Sequence, residues 1–392
     1  MSTEKVSNPP GEPAAATVAQ VEVIRSAGPF AGLSNWSHLA LVGLTLIPNV
    51  VPVDANVNIL ATATLAVWSG SHRSIKPTPM TETMTKGDAM RFPLVGSCVL
   101  FGLFLLFKFL PKDLVNTVLT AYFLVLGVVA LTSTLLPFIE QGFNASVNER
   151  EFKFGSLKIP YLFPEATEVS ATVPKLIGAT VACVFCGWYI SYKHWMANNI
   201  LGLAFSIQAI EFLSVGSVQI GAILLCGLFV YDIFWVFCTP VMVTVAKSFD
   251  APIKLLFPRA LDLVNETRPF SMLGLGDIVV PGIFVAILLR YDNRCAKTAA
   301  AEGKKPSKGY FHTAVLGYIA GLLTTIVVMN VFNAAQPALL YIVPGVLIPV
   351  MMRAMALGET KQLLAYDESS KENVQAVTPE HEGADVSSSK TD

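Results

Sequence analysis

The chain has 392 residues, 53% hydrophobic and only 14% charged, with a formal net charge of −1. Soluble domains carry about 25% charged residues, so this composition excludes an ordinary soluble globular protein. The charge singles out no partner and gives no basic surface for nucleic acid.

In chain order, residues 1–35 hold Pro, Ser and Glu with no early apolar core, and read as a disordered tail rather than a signal peptide. The apolar region 37–70 is broken by Pro48, Pro52 and Asp54. It is read as one span over 55–70 behind an irregular lead-in, with two short spans as the alternative. Further spans follow at 94–110, 114–138, 174–192, 199–218, 219–246, 271–290, 310–332 and 334–357. These runs approach or exceed the roughly 20 apolar residues a bilayer-crossing helix needs. The fold class is therefore an all-α polytopic membrane protein of about nine transmembrane helices. Its transmembrane domain is 36–358, and 359–392, rich in Ser, Glu, Lys and Asp, reads as a disordered tail.

Five of the six cysteines fall in apolar spans and read as reduced packing residues, including the C-x-x-C of Cys183 and Cys186. With the N-terminus outside, the larger share of the 27 Lys and Arg collects on the inner side, so the N-terminus is expected in the lumen and the C-terminus in the cytosol. The sequons at Asn35 and Asn265 would then face the lumen as glycosylation candidates, and Asn144 would stay bare.

An ionisable residue at mid-bilayer costs about 2.5–3.5 kcal/mol on insertion scales and is a functional candidate by default. Three acids stand inside apolar runs: Glu211, Asp232 and Asp277. Glu211 is read as a structural polar contact to a neighbouring span. Asp232 and Asp277 lie in consecutive spans that can pack side by side, either as a pair or as two separately satisfied acids. Gly274 and Gly276 flank Leu275 just before Asp277, where a loosened helix lets another backbone approach. Gln336-Pro337-Ala338-Leu339 opens the last span with a proline that interrupts helix bonding.

Tyr231-Asp232, Gly274-Leu275-Gly276-Asp277 and Gln336-Pro337-Ala338-Leu339 together resemble the three signatures of the presenilin-type intramembrane aspartyl proteases, the signal peptide peptidase family. The resemblance extends through KHWMANNILGLAFSIQAIEFL at 193–213 and VYDIFWVFCTPVMVTVAKSFDAPIKLLFP at 230–258, and runs from about 86 to 366. It implies an aspartic endopeptidase with Asp232 and Asp277 catalytic, the other signature residues supporting the site, and no metal or cofactor. It also implies the endoplasmic-reticulum membrane as location and type II oriented segments, chiefly remnant signal peptides, as substrates. The short 247–270 loop implies an uncut chain. The ending SSSKTD does not meet a dilysine retrieval signal, and a homo-oligomer is left open.

The chemistry stands without the family. Two carboxylates in contact do not both ionise easily, so the pair shares a proton. The ionised member activates water and the protonated one donates to the scissile carbonyl. Strand addition onto protein backbone would give an unwound substrate helix new hydrogen-bond partners. The rival class is a proton-coupled transporter or channel, which also uses intramembrane acids and broken helices, but no second copy of either motif is present to form repeated halves.

Overall fold

Long apolar runs become helices here because a bilayer offers backbone polar groups no partner but one another. The structure, a computed structural model, describes residues 31–49, 51, 53–75, 83–148, 150–159, 163–249, 251–259, 270–301, 309–332 and 336–368. The region around Pro48 holds two helices, α1 (Ala31–Leu46) and α2 (Ala55–Arg73). Pro48 lies in a 3-10 turn, and Asp54 caps α2 by accepting from the Asn56 and Val57 amides. The two helices lie antiparallel: Asn58 Nδ2 donates to Leu44 O at 3.1 Å, and His38 meets Ser69 near the other end. The expected irregular lead-in is thus a helix, because Pro48 and Asp54 punctuate two helices instead of interrupting one.

The remaining helices follow the apolar runs. They are α3 (Lys86–Phe109), α4 (Lys112–Gln141), α5 (Val173–Tyr192), α6 (Trp195–Phe212), α7 (Val218–Phe237) and the short α8 (Val241–Ser248). After them come α9 (Gly276–Ala301), α10 (Gly309–Phe332), α11 (Leu339–Leu357) and the one-turn α12 (Thr360–Leu364). Among the described residues, six helices are long and apolar enough to cross a membrane: α3, α4, α5, α7, α10 and α11. By that measure the count stays below nine, because α2, α6 and α9 carry polar residues such as Asn58, Asn199 and Asp292. These three helices pack on one another and bury those side chains. The outer helices turn apolar side chains outward instead, as with Val118 at 63% and Val184 at 70% exposure. That arrangement fits a bundle in hydrocarbon, where polar groups are kept on interior faces.

Polar contacts tie the interior together. Arg73 Nε donates to Glu211 Oε2 at 2.8 Å, and the same guanidinium reaches the Ser133 and Thr134 carbonyls on α4. Glu211 is therefore the structural contact expected of it. Helices α10 and α11 approach most closely where Gly317 and Gly321 face Gly345, so that a Cβ at Gly321 would lie 2.7 Å from the Ile342 Cα. All six cysteines are free.

Two antiparallel hairpins interrupt the helices: β1 (Glu151–Ile159) with β2 (Phe163–Thr172), and β3 (Lys254–Pro258) with β4 (Phe270–Gly274). The second hairpin lies at one end of the bundle and leads directly into α9. At the opposite end the chain passes α11, forms α12 and returns across the bundle. Arg290 there donates to Glu368 at 2.7 Å, to Ser74 at 3.0 Å and to Ser214 at 3.1 Å. Residues 359–368, assigned to the disordered tail from composition, thus belong to the fold, because polar and charged residues find partners on the bundle end. Residues 369–392 lie outside the described residues, as do 1–30 and the sequon residue Asn265.

Candidate active site

Asp232 lies on α7, among the most apolar helices of the chain, and is 4% exposed. Its partner comes from a break in the last span. Pro337 and Ala338 precede α11, so the Leu339 amide has no partner within the helix. That amide donates to Asp232 Oδ2 at 3.0 Å. The carboxylate thereby occupies the position of a helix N-cap, where an anion also meets the positive end of the helix dipole.

Asp277 is placed by the Gly-Leu-Gly step. Strand β4 ends at Gly274, the Leu275 amide extends the ladder by donating to Ile253 O at 3.0 Å, and α9 starts at Gly276. The aspartate therefore stands in the first turn of its helix, directly after a strand. A Cβ on Gly274 would lie 3.4 Å from Asp277 Oδ2, so glycine leaves open the side of the carboxylate that faces β4. The two aspartates interact electrostatically across α7 and α9. Tyr318, fully buried on α10, donates its hydroxyl to the Asp277 carbonyl at 3.3 Å.

A cavity of about 260 Å³ opens beside Asp277, lined by Gly274, Gln336 and Ala338 together with Leu322, Ile326 and Met329 of α10. The Thr325 hydroxyl, bonded to Gly321 O at 2.9 Å, also lies 3.5 Å from Ala338 O.

The hairpin beside this cavity has one covered edge and one open edge. On β3, Asn199 of α6 bonds the Leu256 peptide twice: its Nδ2 donates to Leu256 O and its Oδ1 accepts from Leu256 N, both at 2.7 Å. Asn198 Nδ2 adds a bond to Lys254 O at 2.7 Å. Lys254 and Leu256 are alternate residues, so these amides cover the outer edge of β3 as a third strand would. Strand β4 pairs only with β3 among the described residues, and its far edge adjoins the cavity. An uncovered strand edge accepts an extended peptide by backbone bonding.

The structure brings together most residues expected at the site. Asp277, Gly274, Gln336 and Ala338 line the cavity, Leu339 holds Asp232, and Pro337 is buried between them. Gly276 starts the helix, while Leu275 packs toward Gly202. Tyr231 faces elsewhere: one residue along the helix from Asp232, its ring packs with Trp235 and lies near Gly96 of α3. Sequence reasoning missed Asn198, Asn199 and Tyr318. The only available signal was a polar Asn-Asn pair at the start of an apolar span. Among the described residues, no group of three or more His, Cys, Asp and Glu could hold a metal ion.

A membrane bundle that sets one aspartate of an apolar helix against the start of an interrupted helix and a second in the first turn after a strand, beside a strand edge unpaired among the described residues, has the architecture of an intramembrane aspartic protease. Comparison with known proteins agrees. Residues 76–370 match the family model described as signal peptide peptidase. The chain is 43% identical over 350 residues to the signal peptide peptidase of Homo sapiens, covering 85% of this chain and 88% of that protein. It is 42% identical over 351 residues to the mouse signal peptide peptidase, with the same coverage. It is 52% identical over 184 residues to intramembrane protease 2 of Caenorhabditis elegans, covering 45% of this chain and 39% of that protein. The chain belongs to the signal peptide peptidase family: it is a multi-pass membrane protein and an intramembrane aspartic protease.

Proposed function

We propose that Asp232 and Asp277 are the catalytic pair and that the substrate is a type II oriented transmembrane segment, chiefly a remnant signal peptide. The observation that carries this reading is the Leu339 amide on Asp232 at 3.0 Å. It ties the Q-P-A-L break to one acid, while the Gly-Leu-Gly step ties β4 to the other. In the reaction, the ionised carboxylate takes a proton from water, whose oxygen attacks the scissile carbonyl carbon. The protonated carboxyl donates to the carbonyl oxygen, and the tetrahedral intermediate collapses as the leaving nitrogen is protonated. The substrate, unwound from its helix, bonds along the free edge of β4, which replaces the hydrogen bonds it has lost.

The human and mouse relatives are named for signal peptides, which supports a substrate of that class and residence in the endoplasmic-reticulum membrane. The distribution of Lys and Arg supports a luminal N-terminus and a cytosolic C-terminus, which puts the β3–β4 hairpin on the luminal side. A homo-oligomer remains part of the proposal. The test is purified protein in detergent with a signal-peptide-like substrate and products identified by mass spectrometry. Asp232→Asn and Asp277→Asn should each abolish cleavage, with the double variant no worse, as for residues of one catalytic unit. A tetrahedral hydroxyl mimic should block cleavage and a metal chelator should not. Full activity in Asp232→Asn would end this reading in favour of a transporter.

A further inference from the structure

The cavity that Asp277 lines is also lined by a cation, which follows the far end of the hairpin ladder. That cation is Arg259, and Asn56, Asn330 and Gln336 line the cavity with it. Arg259 Nε donates to Ser271 Oγ at 2.5 Å, which anchors the guanidinium against β4; among the described residues the rest of its donor fork has no partner and is available to a ligand. Asn56 belongs to the first turn of α2, Asn330 to the last turn of α10, and Gln336 to the Q-P-A-L segment. Four separate parts of the chain therefore bring amide or guanidinium donors to one cavity, while Leu322, Ile326 and Met329 keep its wall apolar.

The hairpin register fixes the position of this end relative to the acids. Gly274, next to the Gly-Leu-Gly step, pairs with Lys254, and Phe270 pairs with Pro258, directly before Arg259. Four strand steps at about 3.4 Å each put the Arg259 end roughly 14 Å along the strand from the Asp277 end. Strand β4 runs toward Asp277. A type II substrate, whose C-terminal side lies on the luminal side, adds antiparallel to β4 and passes from Asp277 toward Arg259.

We propose that this end of the cavity is a carboxylate subsite: Arg259, assisted by Asn56, Asn330 and Gln336, holds a substrate carboxylate about five residues to the C-terminal side of the scissile bond. Guanidinium matches a carboxylate with two parallel N–H bonds, and amide NH2 groups supply further donors. Two substrate groups offer this chemistry. One is the terminal carboxylate of a peptide already cut on that side, and the other is an acidic side chain at the same position. The inference rests on the substrate orientation and catalytic pair proposed above, and it gives the protease a chemical means of preferring a trimmed segment to an intact membrane anchor.

The test uses the full chain in lipid vesicles with three synthetic signal-like peptides. The first ends in a free acid at the fitting distance, the second in the corresponding amide, and the third is the amide with Glu at that position. Arg259 is on the exposed side of the site and solvent screens it, so amidation should raise KM about tenfold at nearly constant kcat, a change of about 1.4 kcal/mol. Arg259→Gln should produce the same loss on the free acid and no further loss on the amide, and Arg259→Lys should recover part of it. Recovery with the Glu peptide identifies a side-chain carboxylate as sufficient, whereas tight KM for the free acid alone identifies the terminus. Binding of a neutral hydroxyl mimic to Arg259→Gln should be unchanged, which separates the effect from misfolding. Equal KM for all three peptides in the wild type, or a loss in Arg259→Gln that is the same for acid and amide, overturns the subsite. Cleavage that persists in Asp232→Asn, or no cleavage of any peptide, instead overturns the catalytic reading and the subsite with it.

Discussion

Asn199→Ala tests whether the β3–β4 hairpin must be docked for cleavage. The side chain is fully buried and makes two bonds of 2.7 Å to one peptide, Leu256 N–H and C=O. Alanine removes both partners and leaves two inward-facing backbone groups without hydrogen bonds, each worth about 1–3 kcal/mol. The docked hairpin should lose about 2–6 kcal/mol in total, a factor of about 30 to 25,000 in its docking equilibrium. Strand β4 is hydrogen-bonded to β3, which Asn199 fastens to α6, so the same loss loosens the edge proposed to receive substrate. The expected result is a sharp fall in cleavage at equal amounts of inserted protein, together with faster hydrogen exchange of the Leu256 amide. Asn198→Ala removes one bond, to Lys254 O, and should cost about 1 kcal/mol with a smaller loss of activity. Wild-type cleavage and unchanged exchange in Asn199→Ala would refute the clamp, and so would an effect no larger than that of Asn198→Ala.

Three further outcomes follow from the packing. Pro337→Ala should let α11 extend backward and draw the Leu339 amide into a helix bond, away from Asp232, so cleavage and binding of a hydroxyl mimic should fall together. Pro349→Ala, inside α11, should leave both near wild type; equal effects in assays at matched expression would show that the Q-P-A-L break has no special role. Glu211→Ala should leave Arg73 buried without its charge partner and destabilise the bundle by about 3–5 kcal/mol, whereas Glu211→Gln keeps an acceptor and should cost less in a thermal-shift assay. Gly321→Val should force α10 away from the Ile342 backbone, which cannot yield as a flexible side chain can, and lower stability by about 1–3 kcal/mol or more; a thermal midpoint equal to wild type would contradict that close approach.

The membrane class, most helices and the identity of Asp232 and Asp277 as candidates were legible in the sequence. Each follows from chain-local facts: an apolar run must become a helix in hydrocarbon, and an acid inside such a run needs a compensating partner. The same local reasoning failed where polarity was the clue. Composition placed 359–368 in a disordered tail, yet Glu368 meets Arg290, Ser74 and Ser214 come from other parts of the chain to the same guanidinium, and no window along the sequence contains that meeting. Likewise, 37–70 looked like one span with a ragged start, although Pro48 and Asp54 end one helix and begin another.

What only the tertiary structure decided is which groups face one another. The sequence showed that Pro337 interrupts a helix, but the Leu339 amide freed by that break bonds Asp232, 107 residues away in sequence. It showed two asparagines in an apolar run, but their role as a substitute strand exists only because α6 lies against β3. In the sequence Arg259 is merely one of several loop cations, but the cavity joins it to Asp277. Local sequence sets which backbone and charged groups lack a partner nearby. Which distant group satisfies each of them depends on how the helices pack, because a hydrogen bond is won within about 3 Å and sequence separation carries no such distance.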